Sequence, residues 1–149
     1  MPRILMVCLG NICRSPTAEV VLKTLRPDWE IDSAGTGDWY IGKPPHADAR
    51  AAGAARGYDL SALRARRVRT QDFQDFDLIL AMDHQNLRDL QEIRPDHARA
   101  ELALLLDFAK NPGTGDVPDP YYTGTFEEVL DLIEDACHGL VDRPPPSIA

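Results

Sequence analysis

The chain of 149 residues has few cysteines and no long hydrophobic run. Three cysteines are an odd number, and two of them, Cys8 and Cys13, lie in one short segment. This pattern excludes the disulfide framework of a small secreted protein and favours a reducing, cytoplasmic location. No stretch approaches the roughly 20 apolar residues of a membrane span, and a strand pattern rather than a signal peptide follows Met1. We therefore expect a cytoplasmic protein without a membrane span.

Positive charge is also scarce: the chain has 16 Lys and Arg residues against 24 Asp and Glu residues, which gives a net charge of −8. This balance argues against nucleic acid as a partner. It also means that an anionic substrate must be attracted locally, since the field of the whole molecule opposes it. Four arginines do cluster in sequence, and we interpret them as a solvated face; the alternative is a surface that attracts an acidic protein substrate. They are Arg64, Arg66, Arg67 and Arg69.

Short apolar runs alternate with helical patterns along the whole chain. The runs are typical of buried parallel strands and cover residues 3–7, 29–33, 77–82 and 101–105. This alternation predicts an α/β fold with a single parallel sheet and helices on both faces. One domain over residues 1–149 accounts for the length, with 143–149 as a frayed, proline-rich tail. Residues 34–38 and 110–124 are predicted loops, and Thr125 to Glu128 is a predicted capping box.

The segment from Cys8 to Pro16 joins the first predicted strand to the first predicted helix. Ser15 is a good N-cap, and Pro16 suits the first helical position. A loop in this place directs backbone N–H groups and the positive end of the helix dipole at one spot. The segment therefore predicts a site for an oxyanion, above all a phosphate.

Two side chains distinguish this segment from an ordinary phosphate loop. Cys8 places a sulfur atom at its base, and Arg14 adds a planar fork of donors. Gly10 permits close backbone approach, and Asn11 tolerates a left-handed conformation. The same Cys-to-Arg spacing at Cys137 has no strand before it, so we interpret Cys137 as a buried apolar residue.

Further candidates lie on the two predicted loops. Trp39 and Tyr40 could wall a pocket at the carboxyl edge of the sheet, or Trp39 could serve packing alone. Asp119 is followed by Tyr121 and Tyr122 on the longer loop. A carboxylic acid there could protonate the leaving oxygen of a phosphate ester, although an Asp before Pro is more often a turn residue.

Four motifs, in this order, resemble the low-molecular-weight protein tyrosine phosphatases over nearly the whole chain: Cys8–Pro16, Asp32–Thr36, Ala81–Asp83 and Asp119–Tyr122. The resemblance implies a four-stranded parallel sheet of flavodoxin-like, Rossmann-like type (phosphatase I). It implies hydrolysis of phosphotyrosine and aryl phosphates through a phosphocysteine, with no metal and no cofactor. The implied partner is a tyrosine-phosphorylated protein, a tyrosine kinase being one candidate, and the chain is expected as a monomer or weak dimer.

The resemblance also implies residue roles. Cys8 would be the nucleophile, Arg14 the phosphate clamp and Asp119 the acid. Asn11 would hold the loop in shape, and Ser15 would hydrogen-bond the Cys8 sulfur. The substrate-binding set would be Leu9, Gly10, Asn11, Ile12, Cys13, Ser15, Trp39, Tyr121 and Tyr122. Separately, because Cys13 shares the loop with Cys8, we hypothesise that it is the redox partner of the nucleophile.

Two departures and two rival functions accompany this reading. Many relatives have a His where this chain has Leu63, so support of the phosphate loop is expected to differ. Relatives that prefer phosphoarginine tend to have Thr in place of Ile12, so Ile12 favours phosphotyrosine. An arsenate reductase on the same scaffold needs further cysteines for a disulfide relay, and residues 77–90 have none. A non-catalytic phosphoprotein-binding module would be favoured only if Cys8, Arg14 or Asp119 were missing.

Overall fold

A parallel sheet of four strands forms the centre of the computed structural model, which describes residues 1–149. The strands are β1 (Arg3–Cys8), β2 (Glu30–Gly35), β3 (Leu78–Ala81) and β4 (Glu101–Leu104). Their order in the sheet is β2-β1-β3-β4, and every neighbouring pair is parallel. The predicted parallel α/β sheet is therefore confirmed.

Six helices and one 3-10 turn connect the strands. They are α1 (Arg14–Leu25), α2 (Ala47–Ala55), α3 (Asp72–Asp75), α4 (His84–Ile93), α5 (Pro120–Thr123), α6 (Phe126–Asp142) and the turn Leu105–Phe108. Strand residues alternate between two cores, because successive side chains of a strand point to opposite faces. Ile4 and Met6 pack with α1 and α6, whereas Leu5 and Val7 pack with α3 and α4. Both faces of the sheet are thus covered, as predicted. No helix has both the length and the apolar character needed to cross a bilayer.

The strand order places a crevice at the carboxyl end of β1. The connection from β1 through α1 leads to β2 on one side, while β3 lies on the other side. Open α/β sheets bind ligands at such a topological switch point. The loop of residues 9–13 begins there, and the N-terminus of α4 follows β3 at the same edge.

The boundaries around this loop differ from the prediction in two ways. β2 continues through Gly35, which we had assigned to a loop. A β-carbon on Gly35 would lie 2.7 Å from the Leu9 carbonyl oxygen, so glycine is needed for the close approach of strand and loop. The predicted N-cap at Ser15 is wrong, since α1 begins at Arg14 and its cap position is Cys13. Pro16 is accordingly the third helical residue, where its missing N–H is still harmless.

Two further predictions are also wrong, one on the start of the last helix and one on the tail that follows it. Thr125 makes no capping hydrogen bond, because its hydroxyl pairs with the Thr123 hydroxyl at 2.7 Å. The tail is not frayed at Ile148, which is 8% exposed and belongs to the core beside α6. The Ile148 N–H donates to the Pro145 carbonyl, so a turn brings this side chain back onto the domain.

The arginine cluster is only partly a solvated face. Arg67 and Arg69 have side chains that are 58% and 66% exposed. Arg66 instead pairs with Asp32 at 3.1 Å and with the fully buried Asp72 at 3.0 Å. A buried carboxylate needs such a partner, so Arg66 is a structural residue of this segment.

Candidate active site

The loop between β1 and α1 contains backbone donors that have no partner in the protein. The N–H groups of Leu9, Gly10, Ile12 and Cys13 donate to no acceptor in the protein. The N-terminus of the 12-residue helix α1 follows directly and adds its dipole. Unpaired N–H groups that converge at a helix N-terminus form an anion site. The loop therefore has the available donors that the predicted oxyanion site, here called the cradle, requires.

The Cys8 sulfur lies at the base of this cradle and contacts two polar groups. The Asn11 N–H donates to Sγ at 3.2 Å, and the Ser15 Oγ lies 3.0 Å from Sγ. Cys8 itself is 3% exposed. Donors at these distances stabilise negative charge on sulfur, which is what a thiolate nucleophile requires.

The direction of the Ser15 hydrogen bond follows from the neighbouring network. The Arg66 backbone N–H donates to Asn11 Oδ1 at 3.0 Å, which fixes the orientation of the amide. Asn11 Nδ2 must then donate to both Ser15 Oγ, at 2.8 Å, and Ser33 Oγ, at 3.0 Å. Because the Ser15 oxygen accepts from Asn11, its own proton is free to point at the Cys8 sulfur. The network thus makes Ser15 a donor to Cys8.

The same network continues to a buried carboxylate. Ser33 donates its hydroxyl to Glu19 Oε1 at 2.6 Å, and the Glu19 side chain is only 3% exposed. Lys23, one helical turn later on α1, pairs with the other Glu19 oxygen at 2.5 Å. Leu63 has no polar side-chain group, so the loop is supported by side chains of α1 and β2 and by the backbone N–H of Arg66.

Arg14 is held with two of its nitrogen atoms free. Nη1 donates to Asp83 Oδ2 at 2.7 Å and to the Val117 carbonyl at 3.0 Å. Nε and Nη2 donate no hydrogen bond, although Nη2 lies 3.5 Å from Asp119 Oδ2. Burial opposes the charge, but the Cys8 sulfur and the hydrogen bond to Asp83 together raise the pKa of Arg14. The guanidinium is therefore charged, and one edge of it remains available for an anion.

Asp119 has the turn role that the sequence offered as one alternative, and its carboxylate also lies beside Arg14. It is the N-cap of α5, since its Oδ1 accepts the Tyr121 N–H at 3.1 Å. Its Oδ2 faces Arg14, and the side chain is 25% exposed. Capping of α5 thus holds the Asp119 carboxylate beside Arg14, at the opening of the cradle.

A pocket of about 240 Å³ opens above the Cys8 sulfur. Its lining contains most of the predicted site, namely Cys8, Leu9, Gly10, Ile12, Cys13, Arg14, Trp39, Asp119, Tyr121 and Tyr122. Asn11 and Ser15 do not line it; they lie behind the loop in the network described above. Trp39 is 67% exposed at the rim, so its surroundings are not those of a core residue.

Tyr40, the predicted neighbour of Trp39 at this edge, lines the pocket, and a β-carbon on Gly10 would lie 2.9 Å from its ring. Three further residues contribute to the site although no role there was predicted for them. Asp83 ends one of the four motifs; it caps α4 by accepting the Asn86 N–H at 2.7 Å, and it also holds Arg14. Ser33 and Glu19 support the loop from other elements.

Comparison with known proteins agrees with this geometry. The family model described as low molecular weight phosphotyrosine protein phosphatase matches residues 3–144. The chain is 42% identical over 147 residues to the low molecular weight protein-tyrosine-phosphatase YfkJ of Bacillus subtilis, covering 95% of this chain and 94% of the relative.

Solved structures give the same result. A protein tyrosine phosphatase from Entamoeba histolytica superposes with a TM-score of 0.89 and 37% identity over 96% of both chains. A Drosophila arginine phosphatase superposes with a TM-score of 0.88 and 30% identity over 94% of this chain and 96% of the relative. On these matches and the site geometry, the chain belongs to the low molecular weight phosphotyrosine protein phosphatase family.

Proposed function

We propose that this protein hydrolyses phosphotyrosine and aryl phosphates through a phosphocysteine at Cys8. The observation that carries the proposal is the set of unpaired loop N–H groups around the Cys8 sulfur, completed by the free edge of Arg14. Phosphoryl transfer needs positioning and charge stabilisation above all, and this arrangement supplies both.

The proposed reaction has two steps that share one set of groups. The Cys8 thiolate attacks phosphorus in line, the S–P bond forms and the P–O bond to the phenol breaks. Arg14 Nε and Nη2 bind two phosphoryl oxygens while the loop N–H groups bind the others. Asp119 gives its proton to the leaving oxygen, then takes a proton from the water that attacks phosphocysteine. Phosphate leaves, and Cys8 returns as thiolate.

An aromatic slot supports phosphotyrosine as the substrate. Tyr40 and Tyr121 have ring centroids 6.3 Å apart, and both line the pocket together with Trp39. A phenyl ring gains from contact with such faces, whereas a short phosphoserine side chain cannot reach them from the base of the cradle. Since one structural relative is an arginine phosphatase, phosphoarginine is the competing substrate, and Ile12 favours phosphotyrosine on the resemblance alone.

A substrate panel tests the proposal. Matched peptides with phosphotyrosine, phosphoserine or phosphoarginine are assayed with EDTA present, beside p-nitrophenyl phosphate. We expect metal-independent turnover with phosphotyrosine preferred. Faster release from phosphoarginine would overturn the substrate assignment. Arsenate reduction with thiol reductants, without phosphatase turnover, would favour the rival enzyme; its relay lacks an accessible third thiol here, since Cys137 is fully buried in α6.

The Asp119→Asn variant tests the acid. Asn can still cap α5, but it cannot donate a proton to the leaving group. We expect phosphotyrosine turnover to fall by about 10²–10⁴-fold. Hydrolysis of 2,4-dinitrophenyl phosphate, whose leaving group needs no proton, should stay within about tenfold of the parent. Equal losses on both substrates would show that Asp119 acts on binding or loop structure instead.

We also propose that Cys13 protects Cys8 from over-oxidation. Burial raises the pKa of Cys13 to about 12, and the nearby Cys8 adds to this, so Cys13 stays a neutral thiol. Peroxide would oxidise the Cys8 thiolate to a sulfenic acid, and the Cys13 sulfur would displace its oxygen as water to form a disulfide. After mild peroxide, mass spectrometry should find this disulfide in the parent and sulfinic acid at Cys8 in Cys13→Ser. Sulfinic acid in both proteins would contradict the proposal.

The cellular setting remains part of the proposal. The partner is a tyrosine-phosphorylated protein, with a tyrosine kinase as one candidate. Three free cysteines support a reducing cytoplasm. The expectation of a monomer or weak dimer stays a prediction.

A further inference from the structure

A second groove of about 250 Å³ runs beside the pocket above Cys8. We call it the flanking groove; Leu9 and Trp39 line both spaces, so the Trp39 indole forms the ridge between them. The ring lies against Gly37 so closely that a β-carbon there would come within 2.0 Å of it. The indole ring therefore packs directly on the Gly37 backbone. A peptide bound through its phosphotyrosine would pass over or along this ridge.

The polar atoms of the flanking groove are mostly acceptors. Asp89 and Glu92 of α4 line it, and neither carboxylate forms an ion pair, although Asp89 Oδ1 accepts a hydrogen bond from Gln85 at 2.9 Å. The single basic side chain there, Arg67, is 3.8 Å from Asp38 and so is partly neutralised. With two carboxylates and one arginine in its lining, the flanking groove is negatively charged overall.

The apolar part of the flanking groove is equally specific. Trp39 is 67% exposed and Ile93 is 44% exposed, although both are large apolar residues. An occupant must therefore have an apolar stem and a positively charged, donor-rich end. Lysine and arginine have this construction, and their cations also bind favourably at an indole face.

We propose that the flanking groove binds a lysine or arginine side chain close in sequence to the phosphotyrosine of a protein substrate. The inference rests on the proposed phosphotyrosine phosphatase activity and extends it to the sequence around the phosphorylated residue. The stem packs on Trp39 and Ile93, and the cation faces Asp89 and Glu92. An acidic side chain in the same place meets two carboxylates that have no cationic partner, and is disfavoured.

The test uses phosphotyrosine peptides that differ at one flanking position, with Lys, Ala or Glu at each of the three positions on either side. For the parent, we expect kcat/KM at the responsive position to be about 3- to 10-fold higher with Lys than with Glu, and the ratio to shrink as salt is added. Glu92→Lys should invert this ratio. Glu101→Lys is the matched control: it makes the same charge change at the amino end of β4, the opposite edge of the sheet, and should keep the parent ratio.

Hydrolysis of p-nitrophenyl phosphate tests the proposed phosphatase activity separately from binding in the flanking groove, because this substrate does not reach the groove. All three proteins should hydrolyse it equally. If none does, the proposed activity itself fails. If all do, but the parent has no preference at any position, or Glu101→Lys shifts the ratio as much as Glu92→Lys does, the flanking groove is not a binding site for a basic side chain.

Discussion

The Cys8→Ser variant is expected to lose turnover of p-nitrophenyl phosphate by about 10⁴–10⁶-fold. A serine hydroxyl in this place needs a base, but its neighbours Asn11 and Ser15 are both donors towards this position, and Asp119 must carry a proton in the first step. The cradle does not depend on sulfur, because its donors are backbone N–H groups and Arg14. Binding of inorganic phosphate, measured by calorimetry, should therefore persist in the variant.

The matched control for this prediction is Cys137→Ala. It removes the thiol of α6, whose pKa burial raises, and leaves the cradle unchanged. Turnover at the parental level is expected, with some loss of stability from the cavity. If Cys8→Ser kept even a hundredth of the parental rate, phosphate transfer through Cys8 would be wrong.

The second large effect is expected for Arg14→Lys, with turnover falling by about 10³–10⁵-fold. A lysine keeps the charge but offers one point instead of a planar fork. It cannot hold Asp83 and the Val117 carbonyl while also presenting two free nitrogens to a phosphoryl group. The loss should lie mainly in kcat, because the charge on the equatorial oxygens is greatest in the transition state.

Rates of Arg14→Lys are compared with those of Arg88→Lys, the same change on the exposed face of α4. Arg88 hydrogen-bonds only Gln85, so this variant should match the parent. Thermal unfolding of both variants tests whether the domain is intact. A loss of less than tenfold in folded Arg14→Lys would mean that charge alone suffices and that the bidentate clamp is not used.

The sheet could be predicted from the sequence because its strands are short apolar runs, a pattern typical of buried parallel strands. β1 is buried on both faces, and Ile4 to Val7 are fully buried. The helix caps predicted at Ser15 and Thr125 were wrong. Ser15 is a good N-cap in isolation, but its hydroxyl is occupied by Cys8 and Asn11. Thr125 fails as a cap for the same reason, because its hydroxyl pairs with Thr123.

The candidate site divides in the same way. Cys8 and Arg14 were found because their context is local: a strand, a loop and a helix within 20 residues. The role of Asp83 had no local signal, because 69 residues separate it from Arg14. Glu19 is close to its partners Ser33 and Lys23 in sequence, but nothing in a helical pattern indicates that this carboxylate is buried. Arg66 was read as a surface charge, since nothing in the sequence places the buried Asp72 beside it. Hydrophobic periodicity and local motifs carry no information on side-chain pairs between different elements.

Asn11 has a φ of +57°, and its side chain bonds to Ser15, Ser33 and the backbone of residue 66. The loop is thus shaped before any anion arrives, and little conformational entropy remains to be lost on binding. That readiness does not distinguish a phosphate ester from the free phosphate that the reaction releases. The product is consequently a competitor for the cradle, and the working rate of the enzyme should depend on the phosphate concentration around it.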